Sequence, residues 1–218
     1  MLSLKVSSKK AIFFDLDGTL WDATEQIATS WNQTMEKLNK KYRFTKDIIL
    51  THMGLTPEET GPIAFFDETF KDSMDLFYKC VHDEIIYLRK HPGIPYDFEE
   101  KVLETLSKKY DLYIVSNADK GYIQNYLYGL NMDKYFKDFV QYGDTSLPKW
   151  KNILYMKDKH QIDQVIYVED TIKDKNECDL AHVLFVHAKY GFGKIDDEQY
   201  YINSLLDLER VADKLFNL

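Results

Sequence analysis

The sequence AIFFDLDGTL, residues 11–20, joins a short apolar run to a cluster of acidic and turn-forming residues. The run from Ala11 to Phe14 is continuous, which is typical of a strand buried inside a parallel sheet. Asp15 and Asp17 follow at a spacing of two, so their side chains project to the same side at the strand end. Gly18 lets the backbone turn away sharply. This segment predicts a buried strand that ends in two carboxylates facing one point.

A helical region follows this strand. Apolar residues recur at helical spacing from Ile27 to Leu38 and again from Phe66 to Ile85, whereas no strand pattern appears from about Asp22 to Lys90. The sequence His91-Pro92-Gly93 then breaks the helical pattern. We therefore predict two domains, with limits as follows: an α/β core formed by residues 1–21 and 91–218, and an inserted all-helical cap formed by residues 22–90.

Predicted strands alternate with predicted helices in the rest of the chain. The strands are expected at residues 112–115, 139–142, 165–168 and 183–186, and the last helix at residues 201–216. This alternation indicates right-handed crossovers and a doubly wound parallel sheet that is covered by helices on both faces. Ligands of such sheets bind beyond the carboxyl ends of the strands.

Further polar residues occur at the predicted strand ends and at the start of one helix: Ser116, Asn117, Lys149, Glu169, Asp170 and Asp174. Taken singly, each is equally well explained by a turn, a helix cap or a surface group, and Lys151 competes with Lys149. All of them nevertheless fall at the sheet edge where the fold rule expects a ligand. This agreement between separate segments indicates one shared site.

The residue types suit phosphoryl transfer, which needs an in-line nucleophile, compensation of charge on the phosphate oxygens and a proton for the leaving group. We expect Asp15 to be the nucleophile that forms an aspartyl-phosphate. We expect Asp17 to be the general acid and then the general base for water. Phosphate or substrate binding is assigned to Thr19, Ser116, Asn117 and Lys149. Mg²⁺, which prefers oxygen ligands, is assigned to a set drawn from Asp15, Asp17, Asp170, Glu169 and Asp174.

These motifs resemble, in this order, those of the haloacid dehalogenase superfamily. The segment from Asp15 to Leu20 resembles its first motif, Ser116-Asn117 its second, Lys149 its third, and the segment from Val168 to Asp174 its fourth. His91-Pro92-Gly93 resembles the return from a cap inserted after the first motif. The resemblance spans nearly the whole chain and is closest to the phosphoglycolate phosphatase and β-phosphoglucomutase branch. It implies a Rossmann-like core, an aspartyl-phosphate route, Mg²⁺ and a cap that closes over the substrate.

Two details refine the resemblance. Asp17 is an aspartate, as in the phosphatases and mutases of the superfamily, which disfavours cleavage of carbon–halogen bonds. Glu169 precedes Asp170, as in the phosphoglucomutase-like members, in which both residues serve the metal. Glu169 and Asp174 are therefore alternatives for the additional metal ligand.

Three functions remain open at this point. The first is a Mg²⁺-dependent phosphatase acting on a small phosphomonoester, and the second is a phosphomutase of the β-phosphoglucomutase type. The third is a non-catalytic module that binds phosphate or metal. Asp17 argues against the third, because a pure acceptor of a phosphoryl group has no need of a proton shuttle.

Composition limits the partners. The net charge is −8, and the 28 Lys and Arg residues form no basic stripe among 36 Asp and Glu residues, so a nucleic acid polymer is not expected. The run Ala11 to Phe14 is too short for a signal peptide or a membrane span, and two cysteines are too few for a disulfide framework. We expect a cytoplasmic protein without a membrane partner, a monomer or small homo-oligomer, acting on a small phosphorylated metabolite. His52 is expected in a cap loop that faces the site.

Overall fold

A computed structural model of the chain describes residues 8–196 and 198–217. The strands are β1 (Lys10–Phe14), β2 (Trp21–Asp22), β3 (Ile94–Pro95), β4 (Asp111–Ser116), β5 (Asp138–Gln141), β6 (Gln164–Glu169), β7 (Leu184–Ala188) and β8 (Tyr201–Ile202). The α-helices are α1 (Thr24–Lys37), α2 (Lys46–Leu50), α3 (Pro57–Ala64), α4 (Phe70–Leu88), α5 (Glu99–Ser107), α6 (Tyr122–Gly129), α7 (Tyr142–Thr145), α8 (Lys149–Lys159), α9 (Ile172–Ala181) and α10 (Leu208–Leu215). None of the described helices is both long and apolar enough to cross a bilayer.

Six strands form one parallel sheet in the order β5-β4-β1-β6-β7-β8. The strand β1 lies between β4 and β6, where Phe14 is in register with Ile114 and Val168. Helices lie on both faces of the sheet, and a set of helices is inserted between β2 and β3. The fold is therefore the predicted α/β class, a doubly wound Rossmann-like core with an all-helical cap.

The continuous apolar run of β1 is explained by two hydrophobic clusters, one on each face of the sheet. Ile12 and Phe14 belong to the larger cluster, whereas Ala11 and Phe13 belong to the smaller one. All four residues are fully buried. A strand covered on both faces needs apolar side chains at every position, not at alternate positions.

The helices α1 to α4 form the cap. Its chain enters and leaves through β2 and β3, which pair antiparallel and align Trp21 with Pro95 and Asp22 with Ile94. Trp31 of α1 lies at the centre of the cap, where its ring contacts Phe44 at 5.0 Å between centroids. The cap shares the larger hydrophobic cluster with one face of the sheet. The limits of the cap at residues 22–90 stay a prediction.

The C-terminal segment differs from the prediction of one helix over residues 201–216. Tyr201 and Ile202 form β8, which pairs parallel with β7 at the sheet edge. A 3₁₀ turn follows, and α10 covers only Leu208–Leu215. The expectation was wrong at its start because a strand of two residues is too short to show a periodicity of its own, so the helical pattern behind it was extended forward.

Glu99 offers a test of how burial affects stability. Its carboxyl is 2% exposed and accepts a hydrogen bond from the hydroxyl of Tyr126 at 2.6 Å. Burial raises the pKa of Glu99 from its ordinary 4.5 to about 8. The folded chain therefore holds a proton that the unfolded chain loses, so this contribution to stability is complete below the unfolded pKa and is lost as the pH rises towards the folded pKa.

We expect Glu99→Gln, which keeps the shape but cannot titrate, to flatten the dependence of stability on pH. The free energy of unfolding of the wild type should fall more steeply than that of the variant, by up to about 1.4 kcal/mol per pH unit. Urea unfolding of both proteins between about pH 5 and about pH 8.5 measures the difference. Parallel profiles would contradict the expectation.

Candidate active site

Two acidic residues follow the carboxyl end of β1, which is a central strand of the sheet. Asp15 is the first residue after β1, and its backbone N–H donates a hydrogen bond to the carbonyl of Val168 at 3.1 Å. The carboxyl of Asp17 accepts a hydrogen bond from the hydroxyl of Tyr122 at 2.8 Å. Both acidic side chains border the same cavity.

The surroundings of Asp15 and Asp17 affect the pKa values of the two carboxyls differently. Burial raises the pKa of Asp15, and the ammonium of Lys149 and the hydroxyl of Ser116 offset only part of that rise. Burial raises the pKa of Asp17 well above its ordinary value, and the hydrogen bond from Tyr122 offsets only part of the effect. Asp17 is therefore placed to retain a proton, while Asp15 has a cation beside it that favours the ionised form.

The turn after Asp17 depends on a glycine. Gly18 has a φ of +80°, and a Cβ atom there would lie 2.6 Å from Oδ2 of Asp170. A side chain at this position is therefore excluded both by the backbone and by the neighbouring carboxyl. Gly191 also packs closely against this turn, since a Cβ atom at Gly191 would clash with the carbonyl oxygen of Gly18. These close approaches bring the Asp17 turn against the carboxyl end of β6.

Lys149 connects the acidic side chains. It is the first residue of α8, directly after Pro148, and is 2% exposed. Its Nζ lies 3.0 Å from Oδ1 of Asp15 and 3.7 Å from Oε1 of Glu169, and it also contacts the carboxyl of Asp174. Burial alone would lower the pKa of Lys149, but the neighbouring carboxylates raise it well above its ordinary value.

The acidic residues after β6 are held by backbone amides and by the start of α9. The amide of Thr171 donates to Glu169 at 2.5 Å, and the Thr171 side chain caps α9 at the amide of Asp174. The amide of Gly193 donates to Oδ2 of Asp170 at 2.9 Å. Burial raises the pKa of Asp170 to about 6. Burial also acts to raise the pKa of Asp174, but Lys149 and the hydrogen bonds of Glu169 and Thr171 together outweigh it, and the net direction is downward.

The donor set after β6 fits the divalent cation expected from the sequence. Oδ1 of Asp170 and Oε1 of Glu169 are buried and accept no hydrogen bond from any described residue. Carboxylate oxygens are the ligands that hard cations such as Mg²⁺ prefer. In the described part of the chain, however, no group of three or more His, Cys, Asp or Glu side chains is already arranged around a common metal position.

A cavity of about 110 Å³ lies between the sheet edge and the cap. The core contributes the predicted site residues Asp15, Asp17, Ser116, Asn117 and Lys149 to its lining. The cap contributes mostly apolar side chains together with His52 and Glu84. The cavity therefore joins a polar floor to a largely apolar roof, which is the usual character of a small-molecule site.

Two of the predicted binding residues make contacts that their sequence positions do not indicate. Asn117 donates a hydrogen bond from Nδ2 to the carbonyl of Gly54 in the cap at 3.1 Å, so it links the floor to the roof. Thr19 does not border the cavity. Its hydroxyl is buried without a hydrogen-bond partner among the described residues, and its carbonyl accepts a hydrogen bond from Tyr190.

Glu169, Asp170 and Asp174 also lie outside the cavity lining. Glu169 and Asp174 are joined to the lining through Lys149, and Asp170 lies against the Gly18 turn. The structure thus brings the predicted acidic residues to one edge of the sheet, with Lys149 at their centre.

Four residues that contribute to this site were not predicted. Tyr122 reaches Asp17 from α6, and the amides of Phe192 and Gly193 reach Asp170 from the loop after β7. Glu84 enters the cavity from α4. Backbone amides leave no signal in a sequence, and Glu84 and Tyr122 each lie in a helical apolar pattern that indicates only core packing.

Comparisons with known proteins agree on one family. The family model described as haloacid dehalogenase-like hydrolase matches residues 12–188. A phosphoglycolate phosphatase from Aquifex aeolicus is 31% identical over 220 residues, covering 94% of this chain and 97% of the relative. A phosphorylated carbohydrates phosphatase from Thermotoga maritima is 29% identical over 140 residues, covering 62% of each chain.

Solved structures support the fold. A haloacid dehalogenase-like hydrolase from Streptococcus pneumoniae aligns with a TM-score of 0.75 at 22% identity, and the alignment covers 93% of this chain and 97% of that one. At such low identity the likeness concerns the arrangement of sheet and cap alone.

Proposed function

The chain belongs to the haloacid dehalogenase-like hydrolase family and is a phosphatase of that type, and from this premise we propose that it hydrolyses a small phosphomonoester through an aspartyl-phosphate on Asp15. One observation carries the proposal: Nζ of Lys149 lies 3.0 Å from Oδ1 of Asp15, at the floor of the cavity. Burial raises the pKa of Asp15, and the ammonium of Lys149 opposes that rise and so favours the ionised carboxylate, which a nucleophile requires.

Asp17 acts as the general acid in this proposal. Its position beside Asp15 in the cavity lining and its burial, which favours the protonated form, both support this role. It protonates the departing oxygen while Asp15 attacks phosphorus, so the ester bond breaks as the acyl-phosphate forms. Asp17 then takes a proton from the water that hydrolyses the intermediate, and free Asp15 and inorganic phosphate result.

The phosphate oxygens are held by Ser116, Asn117 and Lys149, all of which border the cavity. Thr19 is not assigned to the phosphate in this proposal, because its side chain is buried outside the cavity. Mg²⁺ is the proposed cofactor, held by Asp15 and Asp170 together with Glu169 or Asp174, and it supplies charge compensation at the phosphoryl group. Oδ1 of Asp170 and Oε1 of Glu169, which are buried and accept no hydrogen bond from the described residues, support this choice.

We expect hydrolysis of 4-nitrophenyl phosphate to require Mg²⁺ and to stop when a chelator is added. Asp170→Asn should raise the half-saturating Mg²⁺ concentration at least about tenfold, because a metal-binding carboxylate is lost. The matched control is Asp179→Asn on the exposed side of α9, where the carboxyl pairs with Lys175. A chelator-insensitive wild type, or equal Mg²⁺ requirements in both variants, would exclude the metal assignment.

An assay with a sugar phosphate distinguishes hydrolysis from the phosphomutase alternative. With a hexose 1-phosphate, a phosphatase releases inorganic phosphate, whereas a mutase returns an isomerised sugar phosphate. We expect release of inorganic phosphate. The prediction of a cytoplasmic protein, of a monomer or small homo-oligomer, and of the cap limits at residues 22–90 stay predictions beside this proposal.

A further inference from the structure

The roof of the cavity contains one acidic side chain that the proposed reaction does not use. Glu84 of α4 borders the cavity and is 5% exposed. Its Oε2 accepts a hydrogen bond from Nε1 of Trp31 at 2.5 Å, and no other hydrogen bond in residues 8–196 and 198–217 involves its side chain. A carboxyl with one partner retains acceptor capacity, and here that capacity is available at the cavity wall.

The side chains that flank Glu84 in the roof are mostly apolar. Its neighbours in the roof include Trp31, Phe77 and Val81, all of them buried. A carboxyl in such a position costs free energy unless a hydrogen-bond donor or a cation meets it. Because the phosphate-binding residues form the floor, the roof faces the other end of a bound phosphomonoester, which is its leaving group.

The charges around the cavity decide which leaving group suits Glu84. Lys149 is the sole Lys or Arg in the lining of the described cavity, and its ammonium is already paired with Asp15 and Asp174. Burial lowers the pKa of His52, which favours the neutral form of this imidazole in the roof. Asp119 adds a further acid at the rim. The roof therefore has no cation that could pair with an anionic group on the leaving group of the substrate. It does have carboxyl oxygens that can accept a hydrogen bond from the leaving group.

Burial raises the pKa of Glu84 to about 8, and Asp119 adds to this effect. An ammonium bound beside Glu84 would favour its ionised form. A leaving group that carries a carboxylate would instead be buried in the roof without a cation beside it, which costs free energy.

Building on the proposed function, we propose that Glu84 is a specificity-determining residue that accepts a hydrogen bond from the leaving group of the substrate. It selects phosphomonoesters whose leaving group has an apolar body and ends in a hydrogen-bond donor. Among such donors, it prefers an ammonium group to a hydroxyl group. It disfavours leaving groups that end in a carboxylate. The substrate class therefore differs from the carboxylate-bearing ester named for the Aquifex aeolicus relative.

Three phenyl phosphates that differ only in the para group test this inference. The groups are aminomethyl, hydroxymethyl and carboxymethyl; in each, a methylene insulates the leaving oxygen from the charge. For the wild type we expect kcat/KM to fall in that order, with at least about a tenfold difference between the first ester and the last. The ammonium favours the ionised form of Glu84 and pairs with it, whereas the carboxylate is buried in the roof without a cation. A wild type that prefers the carboxymethyl ester, or that treats the three alike, overturns the inference.

Glu84→Gln isolates the charge, since the amide oxygen still accepts the hydrogen bond from Trp31. We expect the aminomethyl to carboxymethyl ratio of kcat/KM to fall at least about fivefold in this variant. The matched control is Glu99→Gln, because Glu99 is equally buried and bonded to an aromatic side chain but lies outside the cavity lining. Its ratio should equal that of the wild type.

A smaller fall in Glu84→Gln overturns the inference. If that variant does not fold, the order of the three kcat/KM values measured with the wild type is sufficient to support or overturn the inference. Failure of the proposed function is distinguishable, because the wild type would then not hydrolyse even unsubstituted phenyl phosphate.

Discussion

Asp15→Asn is expected to reduce kcat for 4-nitrophenyl phosphate at least about 10³-fold, because an amide is a very poor nucleophile and removal of a nucleophile is among the most damaging changes in an enzyme. The backbone of Asp15 should keep its place, since its amide is bonded to Val168 within the sheet. Asp15→Glu keeps the charge but moves the carboxyl by one methylene, and we expect a comparable loss, because a displacement of this size already disrupts in-line attack.

The covalent intermediate gives a direct measurement. Wild-type protein quenched during turnover and treated with borohydride should carry homoserine at position 15, because hydride reduces an acyl-phosphate to the alcohol. Asp15→Asn should carry no such change. Turnover of that variant at a rate near the wild type, or labelling of another carboxyl, would remove Asp15 from its assigned role.

Lys149→Met is expected to produce the second largest effect, on stability as well as activity. The substitution leaves the carboxyls of Asp15, Glu169 and Asp174 buried without their shared cation. Loss of one partner from a buried ion pair costs about 3–5 kcal/mol. Urea unfolding should show a decrease of that order in the free energy of unfolding. The decrease should shrink towards acid pH, where the carboxyls can take up protons.

The control for this variant is two residues along the same helix. Lys151 is exposed, and its ammonium lies over the ring of Trp150 at 5.2 Å from the centroid. We expect Lys151→Met to change the free energy of unfolding by no more than about 1 kcal/mol. Equal effects of Lys149→Met and Lys151→Met would show that the buried lysine does not balance the acids.

The sequence predicted the sheet and its polar edge because both depend on rules that act locally. A strand covered on both faces must be apolar throughout, and the run from Ala11 to Phe14 meets that requirement. Side chains after parallel strands meet at one edge, so the strand pattern alone predicts that Asp15 and Asp170 lie close together. Motif order separated Lys149 from Lys151, although each alone is an ordinary lysine.

The parts that could not be predicted depend on contacts between remote segments. Glu84 is surrounded in sequence by buried residues such as Cys80, Val81 and Leu88. A helical apolar stripe looks the same whether it covers a solid core or the wall of a cavity. Likewise, β2 and β3 have two residues each, so only their pairing in three dimensions reveals them.

That small antiparallel pair has a consequence for how proteins of this architecture can diversify. The strands β2 and β3 hold the two ends of the cap side by side. The connection between the cap and the core therefore stays the same whatever segment lies between these strands. Insertions whose ends are adjacent are tolerated most easily. Different lineages could therefore exchange or remodel the intervening segment, and with it the choice of metabolite, while the machinery for breaking the phosphate ester is inherited intact.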